Sequence, residues 1–235
     1  MTSSPDLLAR QRAATAAAWR ADVATRPAGA WAQLRDVAVH TTGIPVVQWN
    51  GAHVTGPEPD LPAARDWFAE RAMPWGLLVP EELSFDPGTP VVTAQRVMMR
   101  ELDDLPALPN VELWWDDGEG AVAVQREAFD DDLAGELVLP KLRNAACALV
   151  TAYDVGPVST ATLVVADGVA AVYGVGTLTA YRGRGLGRAV TLAVLHEGQR
   201  RGCDLAFLNP SDLGYGVYAA LEFADAPGWR VHRSS

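Results

Sequence analysis

The stretch that most constrains this chain is Tyr181-Arg182-Gly183-Arg184-Gly185-Leu186-Gly187-Arg188. An apolar run, Val169 to Thr179, precedes it, and a helix-like run, Leu186 to Arg201, follows and closes at Gly202. The glycines therefore stand where a strand turns into a helix. A helix start exposes several backbone N–H groups and the positive end of the helix dipole. Glycines leave those groups open to a ligand, so the place suits a phosphate or pyrophosphate. Arg182, Arg184 and Arg188 add positive charge.

Two phosphate-binding patterns compete with a simple tight turn. The dinucleotide fingerprint G-x-G-x-x-G does not fit the spacing Gly183-x-Gly185-x-Gly187. Asp204 lies at a suitable distance, but it precedes its strand, whereas a ribose-binding acid should end one. Arg182-Gly183-Arg184-Gly185-Leu186-Gly187 instead matches every fixed position of R-x-x-G-x-G, and in this it resembles the GNAT superfamily of N-acetyltransferases. Downstream come Ala206-Phe207-Leu208-Asn209, Gly214-Tyr215-Gly216-Val217-Tyr218 and Leu221-Glu222-Phe223. They resemble the family's strand, its tyrosine-bearing helix and its L-G-F turn, with Glu222 in place of the usual glycine. The resemblance covers roughly Val111 to Phe223. Thr179 stands where the family usually has proline.

The resemblance implies a site. Arg182, Gly183, Arg184, Gly185, Leu186, Gly187 and Arg188 would hold the pyrophosphate of acetyl-CoA. Main-chain groups of Val175, Gly176 and Thr177 would bond the pantetheine arm, and Asn209 would bond the pantetheine or a water. Tyr218 is the candidate general acid for the departing thiolate, since a phenol can donate to sulfur. A core tyrosine is its bland alternative. The general base is open, because Val169 to Tyr181 contains no carboxylate and no histidine. Glu112, Asp116, Asp117, Glu119 and Tyr173 are candidates, each with a structural role as the competing reading, and His196 is expected on the helix surface. A tryptophan of the Trp114-Trp115 pair beside these carboxylates suits a cationic amine.

In chain order, residues 5–38 read as helices, the second spanning Trp31 to His40. Pro45 to Trp49 reads as a strand and Asn50-Gly51 as a hairpin turn. Asp60 caps a helix, and Trp75 to Val79 and Val91 to Met98 read as strands. This order echoes the second half of a GNAT domain without its glycine loop, a half that carries shape and not cofactor; an unrelated α/β extension is the alternative. The polar connector Asp103 to Pro109 marks the expected boundary between a divergent N-terminal α/β region, 1–108, and a GNAT acyl-CoA-binding domain, 109–235. In the latter, a helix from Asp131 to Arg143 precedes three antiparallel strands that lead to the glycine loop. The expected fold is α/β (α+β): a mixed, mostly antiparallel sheet flanked by helices, with a helical and half-GNAT-like extension.

Composition narrows the partners. Among 235 residues the net charge is −10, which disfavours nonspecific nucleic-acid binding. Two cysteines, Cys147 and Cys203, suit a reducing compartment such as the cytoplasm and a packing role. Met1 to Asp6 lacks a basic region leading into an apolar segment, and no run reaches membrane-span length, so neither export signal nor membrane is expected. No spaced Cys/His cluster points to a metal. The expected activity is acetyl transfer from acetyl-CoA to a small-molecule, amino-acid or peptide amine, with a homodimer left open. The alternatives are a non-catalytic acyl-CoA-binding module, an enzyme using another acyl donor, and an interaction protein keeping only the fold.

Overall fold

The computed structural model describes residues 5–233; Met1 to Ser4, part of the stretch read for an export signal, and Ser234–Ser235 lie outside the described residues. The first elements are α1 (Pro5–Val23), β1 (Ala30–Leu34), β2 (Val37–Thr41), β3 (Asn50–Val54), α2 (Leu61–Ala69), β4 (Gly76–Pro80) and β5 (Val91–Glu101). There follow β6 (Glu112–Trp115), α3 (Gly118–Phe129), α4 (Ala134–Val138), β7 (Cys147–Tyr153), β8 (Pro157–Ala166) and β9 (Val169–Thr177). The chain ends with α5 (Leu186–Arg200), β10 (Leu205–Leu208), α6 (Tyr215–Ala219) and β11 (Ala224–Arg233). Contacts divide the described residues into two compact units, one of residues 5–97 together with 225–233, the other of residues 98–224. The connector at 103–109 thus lies inside the second unit. Among the described residues no helix is long and apolar enough to cross a membrane.

In the N-terminal unit β2 is antiparallel to β1 and β3, and β3 is parallel to β4. Every residue of β2 and β3 is buried. Val37, Val39, Ala52 and Val54 pack with Ala64 and Phe68 of α2, while Trp19 of α1 stacks on His40. Coverage on both faces erases the in–out alternation that marks a half-exposed strand. That is why Trp31 to His40, read as a helix, is instead the β1–β2 hairpin, turned at Asp36 with φ +49°.

Three further expectations are corrected. Pro45 to Trp49 is loop and a single 3-10 turn, and Asn50-Gly51 lies inside β3. The buried Asn50 amide explains the difference. Its Oδ1 accepts from Thr41 Oγ1 and Thr42 N, and its Nδ2 donates to Ile44 O and Val46 O, so the side chain that signals a turn secures the neighbouring loop. The long helix lies at Gly118–Phe129, not 131–143. Asp117 caps it by accepting from Gly120 N at 3.0 Å, and Asp130 ends it at φ +52°. Residues 134–143 hold only α4 and a 3-10 segment containing Pro140.

The C-terminal unit orders its strands β5-β10-β9-β8-β7-β6, antiparallel except for the β9–β10 pair. Leu149 packs with Ala121 of α3 and Val138 of α4, whereas its neighbours Ala148 and Val150 join the cluster containing Val190 to Leu195 of α5. Adjacent strand residues point to opposite faces, so α3 and α5 cover the two sides of the sheet. The outcome is the expected mixed, mostly antiparallel sheet flanked by helices.

Candidate functional site

Strands β9 and β10 frame the candidate site. They pair in parallel from Val169 with Leu205 to Val172 with Leu208, where β10 ends and β9 continues to Thr177. On its other side β9 bulges. Thr162 faces Tyr173 and Thr160 faces Gly176, so Ala161 alone opposes Gly174 and Val175. Gly174 takes φ +57°, and a Cβ there would lie 2.6 Å from Nε2 of Gln125 on α3. Phe129 and Ala128 likewise crowd Gly176. Thus α3 packs closely over the bulge, where Gly174 takes its left-handed turn and Gly176 leaves room for Ala128 and Phe129.

The expected pantetheine-binding positions occupy this segment. Val175 is half-buried and packs on the main core. The carbonyl of Gly176 accepts the Ser159 hydroxyl at 2.8 Å, and Ser159 Oγ is 2.8 Å from Thr177 Oγ1. Thr177 O accepts Nε of Arg182 at 3.2 Å. Asn209 is half-buried, directly after β10.

The glycine loop then enters α5. Gly183 and Gly185 have φ +76° and +78°, and a Cβ on either would meet nothing within 4 Å. They are glycines because of backbone conformation, not crowding. Gly185 is the N-cap and supplies no side-chain bond, and the first turn, Leu186, Gly187 and Arg188, carries no acid. The first amide with an intrahelical acceptor is Ala189, donating to Gly185 O. Amides ahead of it at a helix start form an anion-binding end. A Cβ on Gly187 would touch Thr177 Oγ1 at 3.4 Å, so loop and bulged strand meet there. Arg182 and Arg184 are exposed. Arg184 is braced by Ala180 O at 3.2 Å and lies over the Tyr181 ring, 4.8 Å from its centroid.

Tyr218 follows β10 on α6 and is buried in the core cluster that contains Val172 and Val190 to Leu195. Burial pushes its phenol up to about 12. Sequence reasoning missed Gly214, where a Cβ would sit 3.0 Å from Tyr218 Cε2 and 3.5 Å from its hydroxyl; the Gly214-to-Tyr218 spacing of one helical turn was the available signal. Gln125 was missed because α3 was misplaced.

The carboxylate candidates lie elsewhere, around β6, the strand at the far end of this unit's order from β10. Asp117 is committed on both oxygens, to Gly120 N and to the Tyr153 hydroxyl. Glu112 accepts the Trp114 indole N–H at 2.8 Å. Asp116 and Glu119 are exposed, and Trp114 stacks on Tyr153 with centroids 4.7 Å apart. Tyr173 meets Phe207 edge-on at 6.2 Å. His196, expected on the surface, is half-buried with Nε2 2.9 Å from Pro106 O. No group of three or more His, Cys, Asp or Glu is placed to hold a metal among the described residues.

Residues 107–223 match the family model described as the Acetyltransferase (GNAT) family. A comparison with curated protein sequences returns no significant match. Among solved structures, the chain is similar to a GCN5-related N-acetyltransferase from Kribbella flavida, at 23% identity and TM-score 0.72 over 95% of this chain and 96% of that one. It is also similar to a tandem GNAT protein from the clavulanic acid biosynthesis pathway, at 16% identity and TM-score 0.60 over 100% and 96%. A third is a GCN5-related N-acetyltransferase from Sphaerobacter thermophilus, at 15% identity and TM-score 0.57 over 85% and 76%.

Proposed function

The chain belongs to the GNAT superfamily through residues 107–223, and from that premise we propose that it transfers an acetyl group from acetyl-CoA to an amine by direct attack. The observation that carries the reading is the start of α5. It has neither a side-chain cap nor an acid in its first turn, sits behind two left-handed glycines, and is ringed by arginines. A pyrophosphate there would receive the amides of Leu186, Gly187 and Arg188 and the charge of Arg182 and Arg184. The pantetheine arm would run along the part of β9 that continues beyond β10.

The neutral amine nitrogen attacks the thioester carbonyl carbon. The C–N bond forms, the C–S bond breaks, and the sulfur takes the Tyr218 phenol proton while the nitrogen releases its own to water. With its phenol at about 12, Tyr218 remains a proton donor throughout the neutral range. The position of Glu222 does not weaken this reading. It adopts φ +62°, the conformation for which the family turn uses glycine.

The N-terminal unit repeats a strand–helix–parallel strand crossover in β3, α2 and β4. There Asp60 caps the helix through Ala63 N, and a proline occupies its first turn. A carboxylate already fills the anion position, so we assign this unit a shaping role and no pyrophosphate. A cytoplasmic setting accords with Cys147 and Cys203, both buried and neither in a disulfide.

Calorimetric titration with acetyl-CoA and with free CoA tests the proposal, followed by an amine screen for CoA-thiol release. Micromolar binding with turnover is expected. Binding without turnover on any amine points to an acyl-CoA-binding module, and no binding to either ligand overturns the acetyl-CoA reading.

A further inference from the structure

Glu222 departs from the family turn, and the structure gives the departure a role. Helix α6 closes with two reversed bonds: Phe223 N donates to Tyr218 O at 3.1 Å, and Glu222 N donates to Ala219 O at 3.0 Å. This is a Schellman closure with Glu222 at the left-handed position. Its hydrophobic contact is the Tyr218–Phe223 pair, edge-on at 6.1 Å. The residue that bears the phenol is therefore itself the anchor of the closure.

Arg100, on β5, completes it from outside. Its side chain is only 4% exposed. Nη1 donates to the carbonyl of Leu221, the last before the left-handed residue, Nη2 to Asp104 O at 2.8 Å and Nε to Glu101 O at 3.0 Å. A buried guanidinium with only carbonyl partners lacks a counter-charge. Glu222 Oε2, on a side chain 78% exposed, lies 3.8 Å from Nη2 and offers a solvent-screened counter-charge. A glycine would make the same turn with less strain but offer no carboxylate.

We propose that Arg100 and Glu222 form a positioning pair that holds Tyr218 in place for proton donation; this rests on the acid role given to Tyr218 above. Arg100 ties the closure to β5 through its bond to Leu221 O, its bonds to Asp104 O and Glu101 O fix the guanidinium, and Glu222 faces its charge. The tyrosine ring, wedged between Phe223 and Gly214, has its backbone pinned at the closure.

The test uses the full chain, with Arg100→Met and Arg100→Lys made in the native and the Tyr218→Phe backgrounds. Thiol release from acetyl-CoA with the acceptor selected in the amine screen gives kcat and KM. Carbon-13 NMR of ring-labelled tyrosine gives the Tyr218 titration. Arg100→Met is expected to lower kcat about tenfold, as small misplacements of a reacting group do. The KM for acetyl-CoA should hold within about twofold, the Tyr218 titration should move downward as the ring loosens toward water, and Arg100→Lys should recover part of the loss. In the Tyr218→Phe background Arg100→Met should cost nothing further. An equal loss in both backgrounds, or an unchanged kcat in the native one, overturns the pair. A silent Tyr218→Phe in a turning-over enzyme overturns the acid role itself, a separate failure. Should Arg100→Met not fold, Glu222→Ala, which keeps the three carbonyl bonds, must still lower kcat and shift the Tyr218 titration for the pair to stand.

Discussion

The Tyr153 hydroxyl donates to Asp117 Oδ2 at 2.6 Å while Asp117 Oδ1 accepts from Gly120 N, so one carboxylate both caps α3 and anchors a strand. The bond holds the Tyr153 phenol at about 12. Asp117→Ala removes a helix cap and a charge-assisted bond, which should cost about 1–3 kcal/mol in urea unfolding. Tyr153→Phe, which keeps the cap, should cost less. The reverse order would show that α3 does not depend on this cap.

Arg184 is exposed, donating to Ala180 O and lying over the Tyr181 ring. Arg184→Glu should therefore leave the melting temperature nearly unchanged and weaken acetyl-CoA binding about tenfold or more, the loss of one charge-assisted phosphate contact plus added repulsion. Paired calorimetry and thermal melts check it. Unchanged affinity would remove Arg184 from the cofactor site.

Tyr218→Phe should reduce thiol release about 100-fold with little effect on acetyl-CoA affinity, the usual scale of general-acid loss. The pH profile follows from the raised phenol. The protonated form is the donor, so its supply persists until pH approaches about 12, and activity should rise with pH through amine deprotonation without an alkaline fall below about pH 10. A fall beginning near neutrality would assign the acid to another group.

Acid should weaken the N-terminal unit. His40 and His53 are buried with ring centroids 5.2 Å apart, enclosed by Trp19 and Trp229, and Arg12 lies over Trp229. Nε2 of His40 and both ring nitrogens of His53 have no hydrogen-bond partner. Burial, then the neighbouring charge of Arg12, lowers His53 to about 4; burial, then His53, lowers His40 well below its usual value. The unfolded chain binds these protons first, so the contribution is intact above about pH 6.5 and is lost as pH falls toward 4. Chemical unfolding from pH 7 to 4.5 should lose stability with a slope approaching two protons, and His53→Leu should reduce that slope to about one. A flat profile would place the histidines in contact with water.

The strand–loop–helix segment was legible because its signals are local. The R-x-x-G-x-G run depends on a few adjacent residues whose backbone conformation the sequence dictates: left-handed glycines and a helix start. The strands β7 to β10 were legible for the same reason. Where signals depend on what lies opposite, they misled. Full burial hid β2, a buried amide disguised Asn50 as a turn former, and the helix expected from Asp131 to Arg143 lies instead at Gly118–Phe129.

By itself, then, the sequence determined a strand–loop–helix unit able to present uncapped amides and arginines, because glycine conformation and helix polarity are properties of neighbouring residues. Only the tertiary structure decided which groups serve it. Ser159 reaches Gly176 across a strand boundary, Gln125 reaches Gly174 from the overlying helix, and Arg100 reaches Leu221 over a long sequence separation. Such contacts arise from register and packing, where residues far apart in the chain exclude water together, and no window of sequence contains them.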